Sequence, residues 1–160
     1  MSIYQKAIQL EQEGAAYYEE QAEKHPDSAI HSIFKTLARA ERRHERAILE
    51  YQRQKEFQVP EATDPMEKTF FATAENIEVE YYLVPRALDV YLTALEMERK
   101  SIEMYQEQLD QSDDETEKAL LKWLVSEEEK HYDQLNKLIE MIRHGDEYVT
   151  HAMFTNMPDY

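Results

Sequence analysis

Two short stretches of the chain pair a carboxylate with an imidazole at one spacing: Glu41-Arg42-Arg43-His44 and Glu128-Glu129-Lys130-His131. On a helix, residues three apart are neighbours on one face. Each pair can therefore offer ligand atoms to one ion, or to two adjacent ions, from the same side. A lone Glu-x-x-His is a weak signal in a chain this rich in glutamate. Here the two copies lie 87 residues apart, and much else recurs at that offset without a gap. Ala7-Ile8-Gln9-Leu10-Glu11 falls on Ala94-Leu95-Glu96-Met97-Glu98, Tyr18 on Tyr105, Glu20-Gln21 on Glu107-Gln108, Lys35 on Lys122 and Leu37 on Leu124. Glu11 precedes Glu41 by 30 residues, and Glu98 precedes Glu128 by 30. A repeat of this kind marks two copies of one supersecondary unit.

Each unit then supplies one Glu from its first helix and a Glu-x-x-His from its second. Together they supply Glu11, Glu41, His44, Glu98, Glu128 and His131, which is four carboxylates and two imidazoles. That is the ligand set of a carboxylate-bridged di-iron or di-manganese centre within a four-helix bundle. Two divalent cations a few ångströms apart repel strongly, so chelating and bridging carboxylates are needed to neutralise them. Carboxylate oxygens with one imidazole per metal suit Fe, Mn or Zn better than Cu(I).

Four helices must position these groups. The first is predicted over residues 3–24, with Ile3, Ala7, Leu10, Ala15, Tyr18 and Ala22 at helical spacing and Glu11 on the edge of that stripe. Gly14 inside it costs about 1 kcal/mol against alanine, which points to close packing or a kink. His25-Pro26-Asp27-Ser28 reads as a turn, with Asp27 or Ser28 capping the second helix, 29–55. On that helix Glu41 and His44 interrupt an otherwise apolar face. Residues 57–85, with Pro60, Pro65 and Pro85, are the one long stretch outside the repeat. A connection of that length predicts a crossover along the bundle, so the second and third helices run parallel, as in ferritin-like folds. Within it, 66–83 reads as partly helical, with Phe70, Phe71, Tyr81 and Tyr82 covering an end or side of the bundle. The third helix is predicted over 86–111. Ser112-Asp113-Asp114 caps the fourth, which runs to His144 with Gly145 as its C-cap. The expected fold is an all-α, ferritin-like four-helix bundle over 1–145, with a tail, 146–160, docking on the bundle or on a neighbour.

The resemblance these residues carry is to the rubrerythrin branch of the ferritin-like superfamily. It rests on Glu11 with Tyr18, Glu41-Arg42-Arg43-His44, Glu98 with Tyr105, and Glu128-Glu129-Lys130-His131, and it spans about residues 5–140. The resemblance implies that Glu41 and Glu128 bridge two metals, that Glu11 and Glu98 are terminal ligands, and that His44 and His131 bind one metal each. It also implies that Tyr18 and Tyr105 hydrogen-bond beside the cluster. Two departures stand out. Rubrerythrin carries a rubredoxin-like domain that holds iron on four cysteines, whereas this chain has no cysteine. Rubrerythrin also has an extra Glu three residues after the third-helix ligand, where this chain has Ser101, matched by Gly14 in the first unit.

Composition limits the partners. The net charge is −16, and no basic stripe of the kind nucleic acid or an anionic membrane requires is read from the sequence. No apolar run approaches the roughly 20 residues of a membrane span. The absence of cysteine excludes disulfides and fits a reducing cytosol, and the N-terminus opens into a helical pattern with no apolar signal core. A cytoplasmic location is expected.

Most Glu side chains in such a chain are solvated helix surface, and a tyrosine on a core face is most often packing. His25 and His31 beside a turn read as surface, His144 and His151 carry no ligand pattern, and Met97 and Met104 read as core. The expected function is a redox protein with two Fe ions per chain, or Mn in their place. It would reduce H2O2 or O2 in oxidative-stress defence, as a homodimer drawing electrons from an external donor such as a rubredoxin or a reductase. The alternatives are a ferroxidase feeding an iron store, and a helical interaction protein structured by metal.

Overall fold

The computed structural model describes the backbone of residues 2–60 and 87–155, and side chains as far as His144. Four helices make up the described chain: α1 (Ile3–Lys24), α2 (Ala29–Gln54), α3 (Ala87–Gln111) and α4 (Glu115–Thr155). The crossover reading for 66–83, with Phe70, Phe71, Tyr81 and Tyr82, lies outside the described residues.

Each start and stop has a local cause. Ser2 caps α1 through a capping box, its side chain accepting from the Gln5 amide while the Gln5 side chain accepts from the Ser2 amide. Ser28 caps α2 by accepting from the Ile30 amide, and Asp114 caps α4 by accepting from the Thr116 amide. Lys55 ends α2 in the left-handed conformation, φ 57°, and donates its backbone N–H to the Tyr51 carbonyl. His25 and His31 are not free surface groups. Their Nδ1 atoms lie 2.9 Å from the Gln21 and Ala22 carbonyl oxygens, and both rings are half-buried. The last carbonyls of α1 lack helical partners, and the turn brings these two imidazoles to them.

One expected boundary is wrong. Gly145 does not end α4, which continues to Thr155. A glycine in a helix interior costs only about 1 kcal/mol, and no proline occurs between Gly145 and Pro158 to enforce a stop. How the tail docks depends on side chains that lie outside the described residues.

α1 packs mainly on α2, and α3 mainly on α4, giving two helical hairpins. Ring contacts fix their directions. Tyr4 meets Tyr51 and Tyr18 meets Phe34, so α1 and α2 are antiparallel. Phe34 meets Tyr91 at one end, while Ile48 and Tyr51 share a cluster with Tyr105 at the other. Helices α2 and α3 are therefore parallel, as the long connection between them requires.

The apolar core forms two clusters, one at each end of the bundle. One gathers Ile30, Phe34, Leu37, Tyr91, Leu135 and Leu138 with their neighbours; the other gathers Ala7, Ile48, Tyr51, Tyr105, Leu120 and Leu124. Burying each large side chain contributes about 1.5–3 kcal/mol. Between the clusters lies a layer of buried Glu and His. Among the described residues no helix is long and apolar enough to cross a membrane.

Candidate metal centre

Glu11, Glu41, His44, Glu98, Glu128 and His131 are each at most 4% exposed. They reach the bundle axis from all four helices: Glu11 from α1, Glu41 and His44 from α2, Glu98 from α3, Glu128 and His131 from α4. They fall into two overlapping groups, Glu11–Glu41–His44–Glu128 and Glu41–Glu98–Glu128–His131. Within each group the ligand atoms all lie within 4.8 Å of one another. Ligands about 2.1 Å from an ion sit at most about 4.2 Å apart across it, so each group closes around one ion with slight contraction. The groups share Glu41 and Glu128, and differ in which terminal Glu and which His complete them.

The imidazoles face inward through Nδ1. His44 Nδ1 lies 3.1 Å from Glu128 Oε1, 3.3 Å from Glu11 Oε2 and 3.9 Å from Glu41 Oε2. His131 Nδ1 lies 3.5 Å from Glu128 Oε2 and 3.8 Å from both Glu41 Oε1 and Glu98 Oε1. The two rings stack with centroids 5.7 Å apart.

The tyrosines cross between hairpins. Tyr18 on α1 donates to Glu98 on α3 at 2.5 Å, and Tyr105 on α3 donates to Glu11 on α1 at 2.5 Å. Burial, reinforced by the neighbouring carboxylates, holds both phenol pKa values well above their ordinary value. Both therefore remain protonated donors that orient the terminal carboxylates.

Four carboxylates this close cannot all ionise cheaply. Two like charges 4 Å apart repel by about 4 kcal/mol even at an effective dielectric of 20. Burial, and then the charges of Glu11, Glu128 and Glu98, push the Glu41 carboxyl well above its usual range. Glu98 is raised by burial and by Glu128, and Glu128 by burial and by Glu11. Glu11 goes the other way. Burial would raise it, but the His44 charge and hydrogen bonds from Glu41, His44 and Tyr105 bring it down to about 2. His44 would be lowered by burial, yet Glu128 and Glu11 raise it well above its ordinary value. Glu41 Oε1, Glu98 Oε2 and Glu128 Oε2 are buried without a well-formed hydrogen bond. Buried carboxylate oxygens left in that state are costly, and divalent ions would satisfy them. The donor set and the orphaned oxygens therefore fit a metal pair.

The structure brings together all six residues expected from the repeat and sets both tyrosines against the terminal Glu side chains. At Gly14 the close packing is seen: α1 runs unbroken through it, and the Glu41 carboxyl lies over it, 3.5 Å from where a Cβ would stand. A cavity of about 180 Å³ opens between α1 and α3, lined by Gly14, Ser101, Tyr18, Glu41 and Glu98 among others. Trp123 packs edge-on against His44, with centroids 5.3 Å apart. It escaped the sequence reading because its repeat partner is Thr36, so nothing at that position recurs. His144 is exposed and takes no part, and His151 lies beyond the described side chains.

Comparison with known proteins agrees with this geometry. The Rubrerythrin family model matches residues 3–139, most of the chain, so the protein belongs to the rubrerythrin family. Neither the curated proteins nor the solved structures yield a match.

Proposed function

We propose that the protein is a di-iron carboxylate oxidoreductase that reduces H2O2 or O2 in oxidative-stress defence. The observation that carries this reading is the pair of four-ligand groups that share Glu41 and Glu128. Sharing two carboxylates holds two ions side by side, and two adjacent redox ions can deliver two electrons to one bound oxidant. In this reading Glu41 and Glu128 would be shared between two ions, Glu11 and His44 would help hold one, and Glu98 and His131 would help hold the other. Iron fits the oxygen-rich donor set and supplies the electrons; Mn accepts the same ligands. Tyr18 and Tyr105 hold the terminal carboxylates, and the cavity beside Gly14 and Ser101 admits the oxidant to the Glu41–Glu98 side. Turnover requires an electron donor from outside the described bundle, such as a rubredoxin or a reductase. A homodimer in the cytosol completes the proposal.

The test is steady-state peroxide consumption by iron-loaded protein, with reduced rubredoxin or a reducing dye as donor. Consumption should depend on bound iron and disappear in Glu41→Ala/Glu128→Ala. Iron-loaded protein that consumes neither H2O2 nor O2 faster than the double variant would overturn the reading.

A further inference from the structure

The outward side of α2 is basic in an otherwise acidic molecule. Lys35, Arg39, Arg42, Arg43, Arg46 and Arg53 are six of the chain's 18 Lys and Arg residues, and all lie on this one helix. At 100° per residue, Lys35, Arg39, Arg42, Arg46 and Arg53 fall within a narrow arc that points away from the bundle axis. Arg39, Arg42, Arg46 and Arg53 are exposed. The stripe is about 27 Å long at 1.5 Å per residue. The net charge of −16 hid it, because a total says nothing of how charges are distributed among faces. The sequence reading of no basic stripe is therefore corrected for this face.

Three features narrow what the stripe receives. Leu49 stands in the same arc and is 44% exposed, one of two large apolar side chains so exposed among the described residues. Shallow surface hollows of about 280 and 510 Å³ flank Arg46, one towards Arg39 and the other towards Leu49 and Arg53. Acidic groups border the stripe: Glu19 pairs with Arg42 at 3.4 Å, Glu45 pairs with it at 3.4 Å, and Glu50 lines the second hollow. An extended polyanion would overrun so short a stripe into the surrounding acidic surface and would gain nothing from Leu49. A compact protein patch of carboxylates around an apolar centre matches it in length, charge and chemistry.

We infer that this face of α2 docks an acidic electron-carrier protein, and that α2 is the wall through which its electrons enter. The inference rests on the redox reading above. Glu41 and His44 project from the opposite side of α2, and a helix is about 10 Å across. A donor seated on the arginines is thus one helix width from the ligands, a span that electrons tunnel. Transient redox complexes of this kind have small interfaces steered by charge, so the stripe governs encounter rate more than affinity.

The test uses iron-loaded protein, reduced rubredoxin as the acidic probe, and reduced methyl viologen as a small cationic reductant, followed by stopped flow. In Arg39→Glu/Arg46→Glu/Arg53→Glu, the second-order rate of reduction by rubredoxin should fall about 10-fold or more at low salt. Added salt should slow the wild type steeply and the variant little. The corresponding Gln variant should lie between them, iron content and helicity should be unchanged, and reduction by methyl viologen, a cation, should not slow. Rubredoxin reduction that ignores both salt and charge reversal, while methyl viologen still reduces the site, would overturn the docking face and leave the redox reading intact. Failure of both reductants in the wild type would instead defeat the redox reading. Tighter retention of a single-stranded oligonucleotide than of rubredoxin, or a variant that only loses self-association, would assign the face to another occupant and overturn the inference.

Discussion

The two hairpins bring near-identical ligand sets to one site, yet they surround them differently. Glu11 and Glu98 occupy matching positions, and each accepts a hydrogen bond from the other hairpin's tyrosine at 2.5 Å. Glu11 is nevertheless held ionised by His44, while Glu98 is pushed up by burial and by Glu128. The cavity reaches Glu98 and Glu41, whereas Trp123 covers His44. Among the described residues, a repeated ligand frame thus has a cavity on its Glu41–Glu98 side and an indole ring against His44 on the other. Symmetry of the ligands sets how many ions fit, and asymmetry of the surroundings sets where a small molecule can approach.

The largest expected effect separates shared from unshared carboxylates. Glu128→Ala removes a ligand from both groups and should abolish binding of both ions. Glu11→Ala removes a ligand from one group and should leave about one ion per chain, bound by the Glu98–His131 half. Elemental analysis after dialysis distinguishes them, and equal losses in both variants would break the distinction between shared and terminal positions.

The next prediction concerns pH. Groups protonated in the metal-free site must release their protons to ligate, so metal affinity falls as pH falls. Glu41, Glu98 and Glu128 have raised pKa values, so each opposes ligation increasingly below its own pKa, and His44, also raised, adds to the effect. Glu11 is already ionised at all but very low pH. Weakening on acidification should therefore appear in both Glu11→Gln and Glu98→Gln, because each remaining half keeps the raised Glu41 and Glu128 and one further raised group, Glu98 in the first and His44 in the second. Calorimetry in buffers of different ionisation enthalpy would count the protons released.

Smaller effects follow at the tyrosines. Tyr18→Phe strips the donor from Glu98, and Tyr105→Phe strips it from Glu11. Each should destabilise the loaded protein by about 1.5–3 kcal/mol, the range for a hydrogen bond to a charged group. Denaturant unfolding would show it. If Tyr18→Phe affects peroxide turnover more than Tyr105→Phe does, the half beside the cavity is the reacting half.

The smallest effect belongs to Gly14→Ala. The new Cβ would stand 3.5 Å from the Glu41 carboxyl, ordinary contact, so the protein should fold and keep its metal. Helix propensity should add up to about 1 kcal/mol of stability, while the narrowed cavity should slow peroxide-driven oxidation modestly. Stopped-flow absorbance would detect the slowing.

Much of this was legible in the chain. The 87-residue repeat exposed both hairpins and all six Glu and His residues that are buried among the described ones, because ligands from a paired helix recur with the helix. The long connection dictated that α2 and α3 run parallel. The crossed tyrosine bonds were not legible, since spacing places Tyr18 near Glu11 along α1 but says nothing of which hairpin it faces. Gly145 misled because a glycine can end a helix or be tolerated within one, and only the residues beyond it decide. The arginine face of α2 was hidden by the charge total, and it becomes visible only on the helical wheel of a helix whose inner side is already known.

If Glu41 and Glu128 are shared between two redox ions, iron should load in pairs and react as a pair. An anaerobic Fe(II) titration, followed by one equivalent of H2O2 and a visible spectrum, tests it most directly. Titration should saturate at about two Fe per chain, and H2O2 should promptly bring up near-ultraviolet absorption of ferric ions, with both irons oxidised by the single equivalent. Saturation at one Fe, failure to bind Fe while binding Zn, or bound Fe(II) that H2O2 leaves spectrally unchanged would contradict it.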